Sequence, residues 1–515
     1  EILRIIRPVI IESNIIHKSE IIGKLEIVWM NDNIFIHLAN GIFFILVYII
    51  ILSYIRIVNS KRELSFKNFE ISEKMEEVQK LKKQQDGDYY LTSLLTKPLN
   101  NLFYTGEGLR VSYYISQKKK FEFKKKLQEI GGDICITDEI VLRGKKYLVF
   151  VNADAMGKSL QGAGGVLVFG AAFNSILMRN KNSIITARIY FPELWLKNTF
   201  VDIHKIFEAF GGSMLISCII GLIEEDTNFM YWINAEHPGM ILYRDGKANI
   251  IDNYNDIFMK LGTEGINNSL KINCFQLYKG DAIVIGSDGK DDLILGKNEF
   301  GMNIINDDPE LFPKILEKEQ GEIENIYEKL KEYGDYSDDF SLLKIEIAEP
   351  GFKEISNSED LIDRYKKIKH LYLDGKIGEC EKALLDTLSK YNDSSQILKF
   401  LVKIYYESKD FENVCKYIER YIELNPSDSE LIFLAAYCFK KIGNFTMGIA
   451  FGERYRIRHP DVIRNFVNLA ELYYLDKKFD RARKMVQKVL NYDSENEKAL
   501  KILDLINTKV EKNEM

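Results

Sequence analysis

The sequence predicts an α+β sandwich domain, preceded by a membrane-spanning helix and followed by an all-α repeat solenoid. Three observations predict it: an uncharged apolar run from Ile34 to Ile55, a central stretch whose short strands end repeatedly on aspartates, and a tail whose apolar columns recur every 34 residues. A chain of 515 residues is long enough for two to four domains. With 46% hydrophobic residues, 28% charged residues and 9 prolines, its composition is that of a folded protein. The formal charge of −6, with Lys and Arg nearly balanced by acids, gives no sign of a nucleic-acid groove.

The chain begins with Glu1 rather than Met and reads as a fragment whose own N-terminus is missing, so a signal peptide is not judged. Residues 1–33 alternate isoleucines with polar residues (Ile21, Ile22, Leu25, Ile27, Trp29), as in the last strands of an extracytoplasmic sensor domain. From Ile34 to Ile55, 22 residues carry no Asp, Glu, Lys or Arg. That is enough helix to cross a hydrocarbon core about 30 Å thick, and a transmembrane helix is expected over 34–58. The competing reading is a buried helix of a soluble protein, but core helices are seldom apolar all round. Arg56, Lys61 and Arg62 follow at once, so the C-terminal side is expected in the cytoplasm, with the chain crossing the inner (cytoplasmic) membrane a single time.

Residues 59–87 are charged, and Leu64, Ile71 and Val78 recur every seven residues, with Met75 at a d-like offset. The pattern suits a short parallel coiled coil joining two copies in a homodimer; one solvated amphipathic helix has the same pattern. Residues 88–348 mix strands and helices. Tyr147 to Val151 reads as a buried strand running into Asn152, Ala153 and Asp154. Ser213 to Glu224, Asn228 to Ala235 and Gly239 to Tyr243 read as successive antiparallel strands. Hairpins and helices in one domain point to a sandwich rather than a doubly wound sheet. The lysines 118–120 and 124–126 bracket Phe121 and Phe123, which reads as a half-buried strand with solvated ends rather than a single-strand nucleic-acid platform.

After a linker at Glu349-Pro350-Gly351, residues 359–510 repeat. Ile377, Phe411, Phe445 and Phe479 are each 34 residues apart, as are Leu371, Tyr405, Phe439 and Tyr473. Cys380, Val414, Gly448 and Ala482 add a small-residue column, and Asn425-Pro426 and His459-Pro460 punctuate repeat ends. This is the signature of tetratricopeptide (TPR) helix pairs, whose stacked array offers a concave face to a protein partner. The six cysteines form no Cys-x-x-Cys motif and are expected to be reduced, buried residues.

Four aspartate-bearing stretches fall at strand boundaries: Gly131-Gly132-Asp133, Asp154-Ala155-Met156-Gly157, Ser287-Asp288-Gly289 and Ser337-Asp338-Asp339. One strand–Asp–Gly turn is common, since these residues make turns. Four in this order are not. Converging aspartates stay ionised in a core only when a cation neutralises them, and an all-oxygen donor set suits Mg²⁺ or Mn²⁺ rather than zinc.

These motifs, with Asn234-Ala235-Glu236-His237-Pro238 and Lys279-Gly280-Asp281 between them, resemble bacterial PPM (protein phosphatase 2C-like) phosphatases of the SpoIIE type. The resemblance covers roughly 260 residues. It implies a β-sandwich flanked by helices with two Mn²⁺ or Mg²⁺ ions at one end. It implies that Asp154 bridges the ions, that Asp133 and the Ala155 carbonyl serve one, and that Asp288 and Asp338 serve the other, with Asp339 as the alternative one residue on. The implied reaction is attack of an activated water on a phosphoserine or phosphothreonine of a protein substrate, an anti-sigma-antagonist-like regulator, with no protein nucleophile. Two departures stand out. The family's Asp-x-Ser-Gly-His-Gly reads Asp154-Ala155-Met156-Gly157-Lys158-Ser159 here, and its Ala-Gly-His-Pro reads Ala235-Glu236-His237-Pro238, with His237 expected to be structural. The alternatives are a pseudophosphatase scaffold, which intact metal aspartates oppose; a diguanylate cyclase, which Ile134 and Cys135 after Gly-Gly-Asp oppose; and a pure repeat adaptor, which leaves the acidic turns unexplained.

Overall fold

The computed structural model describes residues 9–17, 20–29, 32–100, 103–183, 190–252, 256–265, 270–349 and 359–514. Pro350 and Gly351 of the expected linker lie outside the described residues, as do residues 1–8, 18, 19, 30 and 31 of the expected sensor remnant. The chain forms two compact units, Glu1–Gln85 and Asp86–Met515.

The first unit holds the antiparallel strands β1 (Val9–His17) and β2 (Glu20–Trp29) and most of one long helix, α1 (Asp32–Thr96). The apolar run and the charged heptad segment are therefore one uninterrupted helix, with Pro98 just past its end, where a helix cannot continue. Successive residues point in all directions around a helix. Ile42, Phe43, Phe44 and Ile45 are nonetheless all more than half exposed, so this stretch is apolar on every side and enters no core among the described residues. By length and composition it can cross a membrane.

The second unit opens with the end of α1. There Tyr90 stacks on Phe123 with ring centroids 4.3 Å apart and Tyr89 packs on Phe121 at 5.6 Å. The two phenylalanines belong to a hairpin, because β3 (Leu109–Ser116) is followed by β4 (Lys119–Phe123) and β5 (Lys126–Ile130). Next come β6 (Asp133–Leu142), β7 (Lys145–Ala155), α2 (Leu160–Lys181), α3 (Pro192–Glu208), β8 (Ile216–Glu224), β9 (Phe229–Ala235), β10 (Ile241–Arg244), β11 (Lys247–Ile250), β12 (Asn273–Gln276) and β13 (Ala282–Gly286). The domain ends with β14 (Leu293–Lys297), β15 (Asn303–Ile305), α4 (Leu311–Lys318), α5 (Ile326–Lys331), β16 (Asp335–Tyr336) and β17 (Phe340–Ile347).

Two five-stranded antiparallel sheets, ordered β11-β10-β13-β17-β3 and β12-β9-β8-β7-β6, form the sandwich. Side chains alternate across a strand, and β7 shows the result. Leu148 and Phe150 enter the core between the sheets with Ile283, Ile285, Leu343 and Ile345, whereas Val149 and Val151 face α2 and α3. On the far side, β10, β13 and β17 pack on α4 and α5 through Val284, Phe340, Phe312 and Leu316. Helix α2 is also long and apolar enough to span a membrane, but half of that window is buried, which makes it a core helix.

The tail is an array of helices packed in succession: α6 (Glu359–Leu373), α7 (Ile377–Lys390), α8 (Ser395–Glu407), α9 (Phe411–Leu424), α10 (Ser429–Lys441), α11 (Phe445–Arg458), α12 (Ile463–Leu475), α13 (Phe479–Tyr492) and α14 (Glu497–Glu514). The column Ile377, Phe411, Phe445, Phe479 is the first residue of every second helix. The small column lies where helices close in: a Cβ on Gly448 would stand 2.6 Å from Leu472 Cδ2. The array does not have a core of its own alone. Ile457 of α11 lies in the helix-side core of the sandwich domain, and Phe191, just before α3, lies in the core of the repeats.

Candidate metal centre

Strand order brings four chain segments to one end of the sandwich. β6 starts there with Asp133, β7 ends there with Asp154 and Ala155, β13 ends there before Ser287-Asp288, and β17 starts there after Asp338-Asp339. Asp133 pairs directly with Asp154 across the β6–β7 ladder. Two residues before Asp154 and two after Asp133, Asn152 and Cys135 face the other sheet: the Asn152 amide donates to Ser341 Oγ at 3.0 Å and to Cys135 Sγ at 3.1 Å. By the same alternation, Asp133 and Asp154 stand side by side on that face.

Glycine lets the loops come this close. A Cβ on Gly132 would lie 2.5 Å from the Ala155 carbonyl oxygen, and one on Gly289 would lie 1.9 Å from that of Asp339. The latter contact locks the Asp288 turn onto the start of β17. Asp339, which is buried, closes the loop from the other side, accepting from the backbone N–H of Gly132 and of Lys118, both at 2.7 Å. With both its oxygens on backbone donors, Asp339 serves the loop. Asp338 stands exposed at the rim, one of its oxygens accepting from the Asp339 N–H at 2.9 Å.

The electrostatics separate these acids from ordinary ones. Asp133 is 1% exposed; Ser287 Oγ donates to its Oδ2 at 2.6 Å, while Oδ1 has no partner in bonding geometry among the described residues. Burial first, then the Asp154 carboxylate, push Asp133 well above the usual carboxylate range. Burial, then Asp288 and Asp338, push Asp154 up to about 7, with Lys260 opposing. Burial, then Asp292 and Asp338, push Asp288 up to about 6, against Lys260 and Lys290. The acids lack enough internal counter-charge, and a buried carboxylate oxygen waits for a donor or a cation. Among the described residues, no three His, Cys, Asp or Glu side chains close around one point. Of the candidate donors, Asp288 borders an open cleft, and Mg²⁺ and Mn²⁺ accept sites in which water completes the ligand set. An all-oxygen set with an orphaned buried oxygen fits a hard divalent cation.

His237 is not part of that set. It is buried, its Nε2 lies 2.6 Å from Asn152 Oδ1, and its Nδ1 lies 3.0 Å from Ser217 Oγ. The Asn152 amide nitrogen is spent on Ser341 and Cys135, so its oxygen accepts and Nε2 carries the proton. Burial pulls the His237 pKa down to about 3, and the ring is neutral. Glu236, where the resembled family has glycine, takes φ 47°, so the turn is kept at a cost in strain.

Sequence reasoning singled out Asp133, Asp154, Ala155, Asp288 and Asp338, and the structure gathers all five at this end. It missed Asn152, Gln117, Ser341 and Lys260. Gln117 donates to the Asp133 carbonyl at 2.9 Å. Lys260 is fixed beside the site because Phe258 and Leu261 bridge to Ala235 and Ile216 at the ends of β9 and β8. Only Ser287 had a local signal, as part of Ser-Asp-Gly. A cleft of about 400 Å³ adjoins Asp288, lined also by His237, Asp252, Lys290 and Asp291.

Residues 144–348 match the family model of stage II sporulation protein E (SpoIIE). The matched residues include Asp154, Ala155, Asp288 and Asp338 and begin after Asp133. No curated protein matches the chain. Among solved structures, the chain is similar to the RsbU and RsbW domains of Rv1364c from Mycobacterium tuberculosis, at 16% identity over 52% of this chain and 69% of that one, with a TM-score of 0.35. It is similar to the SiaA-PP2C domain of Pseudomonas aeruginosa, at 15% identity over 52% and 97% of the two chains, with a TM-score of 0.36. A part of it is similar to MamA from Desulfovibrio magneticus RS-1, at 15% identity over 29% and 84%, with a TM-score of 0.26. These likenesses are distant, and the sequence match over residues 144–348 is what identifies the domain.

Proposed function

We propose that this chain, whose residues 144–348 are a SpoIIE-type phosphatase domain, is a metal-dependent protein serine/threonine phosphatase anchored in a membrane by the apolar part of α1. The observation that carries the reading is the adjacent Asp133–Asp154 pair, both with raised pKa values and one with an unpartnered buried oxygen. Asp133, Asp154, Asp288, Asp338 and the Ala155 carbonyl are the groups to hold two Mn²⁺ or Mg²⁺ ions. When bound, such ions supply a water of lowered pKa and offset charge on the phosphoryl oxygens.

The chain's own residues prepare the cleft. Ser287 orients the Asp133 carboxylate by its hydrogen bond, and Asp339 holds the Gly131-Gly132 loop in reach of Ala155. Lys260 adds positive potential beside Asp154 and Asp288, which draws a dianionic phosphate inward. No thiol takes part: burial pushes Cys135 up to about 12, so it stays protonated. The substrate is a phosphoprotein, in the anti-sigma-antagonist-like class that the resemblance implies. The repeat array takes a protein partner. The exposed stripe of Leu64, Ile71, Met75 and Val78 pairs two copies as a coiled coil. The catalytic and repeat domains are cytoplasmic. Lys158, exposed where the resembled family has histidine, favours the second reading, a pseudophosphatase scaffold.

The test is hydrolysis of p-nitrophenyl phosphate by the full chain in detergent, with Mn²⁺, with chelator, and with Asp154→Asn and Asp288→Asn. Metal-dependent turnover lost in both variants is expected. Turnover that is indifferent to chelator, or none with any divalent metal, sinks the phosphatase reading.

A further inference from the structure

The seam between the sandwich domain and the repeat array is built around one carboxylate. Glu193, in the first turn of α3, is completely buried. It accepts a two-pronged pair of hydrogen bonds from Arg454, at 3.0 and 3.1 Å, and further bonds from Arg458, one of 2.9 Å. Both arginines sit on α11 and are themselves buried. The Arg454 guanidinium lies 4.1 Å from the centre of the Phe191 ring, and that of Arg143 lies 4.3 Å from it. A backbone bond from Ile272 N–H to the Ile457 carbonyl, at 3.0 Å, adds a main-chain tie. Burial alone raises a carboxyl pKa, but Arg454 and Arg458 outweigh it and hold Glu193 at about 2. A module that merely hangs on a linker has no such seam.

The seam connects to the metal centre through one continuous core. From Glu193, α3 runs into it with Trp195, Leu196 and Phe200, which share a cluster with Val166, Phe169 and Phe173 of α2, and with Ala155 itself. Helix α2 has no slack against the Asp154–Gly157 turn. A Cβ on Gly162 would lie 2.5 Å from the Gly157 carbonyl oxygen, and one on Gly165 would lie 2.6 Å from Ala155 Cβ. Close-packed interiors transmit such displacements rather than absorb them.

We propose that Arg454 and Arg458 are positioning residues for the phosphatase site: by gripping Glu193 they fix α3 against α2, and so hold the turn that carries Asp154 and Ala155. This rests on the phosphatase reading above. The repeat array is then an integral buttress of the hydrolase.

The test uses the full chain in detergent and the variant Arg454→Lys, which keeps the charge and loses the fork. Hydrogen–deuterium exchange without metal, and calorimetric titration with Mn²⁺, are the two readouts. Expected are faster exchange in the Asp154–Gly157 turn and the start of α2, and Mn²⁺ affinity weaker by about tenfold, as for a lost supporting contact. Turnover of p-nitrophenyl phosphate should recover at saturating Mn²⁺, which general unfolding would not allow. Faster exchange confined to α11 and the first turn of α3, with unchanged Mn²⁺ affinity, overturns the proposal. If Arg454→Lys does not fold, Arg143→Lys loosens the same seam without uncovering Glu193 and is judged by the same readouts. If the unaltered chain binds no Mn²⁺, the phosphatase reading falls, and the exchange pattern alone upholds or overturns the coupling.

Discussion

Two of the places where this molecule buries carboxylates are solved in opposite ways. At the repeat seam, one glutamate meets two guanidiniums, and its pKa falls to about 2. At the end of the sandwich, Asp133, Asp154 and Asp288 meet each other, and their pKa values rise. A buried acid with its counter-charge supplied by the same chain is part of the scaffold. Buried acids without one are unfinished until an ion arrives. At these two places the direction of the shift follows the counter-charge: down where two guanidiniums face the acid, up where other carboxylates do.

The contrast is broken most sharply by removing one acid at each place. Asp154→Asn should cut metal-dependent turnover by at least about 10²-fold, since even supporting contacts at metal sites are worth up to that much. The same change should raise the melting temperature measured in chelator, because it removes a repelling charge; a fall would mean that the acids are not in conflict. Glu193→Ala should do the reverse to stability, costing about 3–5 kcal/mol in denaturant unfolding, because two buried arginines lose their partner. Ser287→Ala removes the hydrogen bond that orients Asp133 and should weaken Mn²⁺ binding by about tenfold, read by calorimetry, with little change in fold.

The smallest effect is on pH dependence. Without metal, Asp154 titrates near 7 and Asp288 near 6, against about 3.9 for an unfolded aspartate. Between these values the folded chain binds more protons than the unfolded one, so stability falls as pH rises from about 4 to 7. Glu193 acts oppositely: its contribution is complete above the ordinary carboxylate range and fades only as pH drops toward 2. Melting curves in chelator should therefore decline by a few degrees from about pH 5 to pH 7.5, and saturating Mn²⁺ should flatten that slope. An identical slope with and without metal would separate the ions from these acids.

Much of the fold was legible because local patterns governed it. The apolar runs Tyr147–Val151, Ala282–Ile285 and Ser341–Ile347 all lie within observed strands, and the phenylalanine column of the tail falls on helix starts. Strand ends were less legible: β7 continues through Asn152 to Ala155, where polar side chains hide an extended backbone. The aspartates of the candidate site stood out because Asp133, Asp154 and Asp288 sit close to glycines at strand boundaries and Asp338 sits in an Asp-Asp pair before an apolar strand. Their supports did not, since Asn152 reaches Ser341 across the sandwich and Gln117 reaches the Asp133 carbonyl. The seam was invisible for the same reason. Glu193 and Arg454 are 261 positions apart, and nothing near either marks a partner, so the sequence suggested a separable array where the cores are in fact shared.

The fixed ring of His237 has a consequence for how the leaving group gets its proton. Both ring nitrogens are engaged, and the imidazole takes no proton until about pH 3. The other histidine of the sandwich domain, His204, accepts from the Gly262 N–H and stacks along Phe200, on the helix side of the sheet. On the proposed reading, a serine or threonine alkoxide departing from phosphorus meets no imidazolium from either histidine of this domain. The acid limb of a rate profile should accordingly follow carboxylates and metal loading, with no step at the ordinary histidine value of about 6.5.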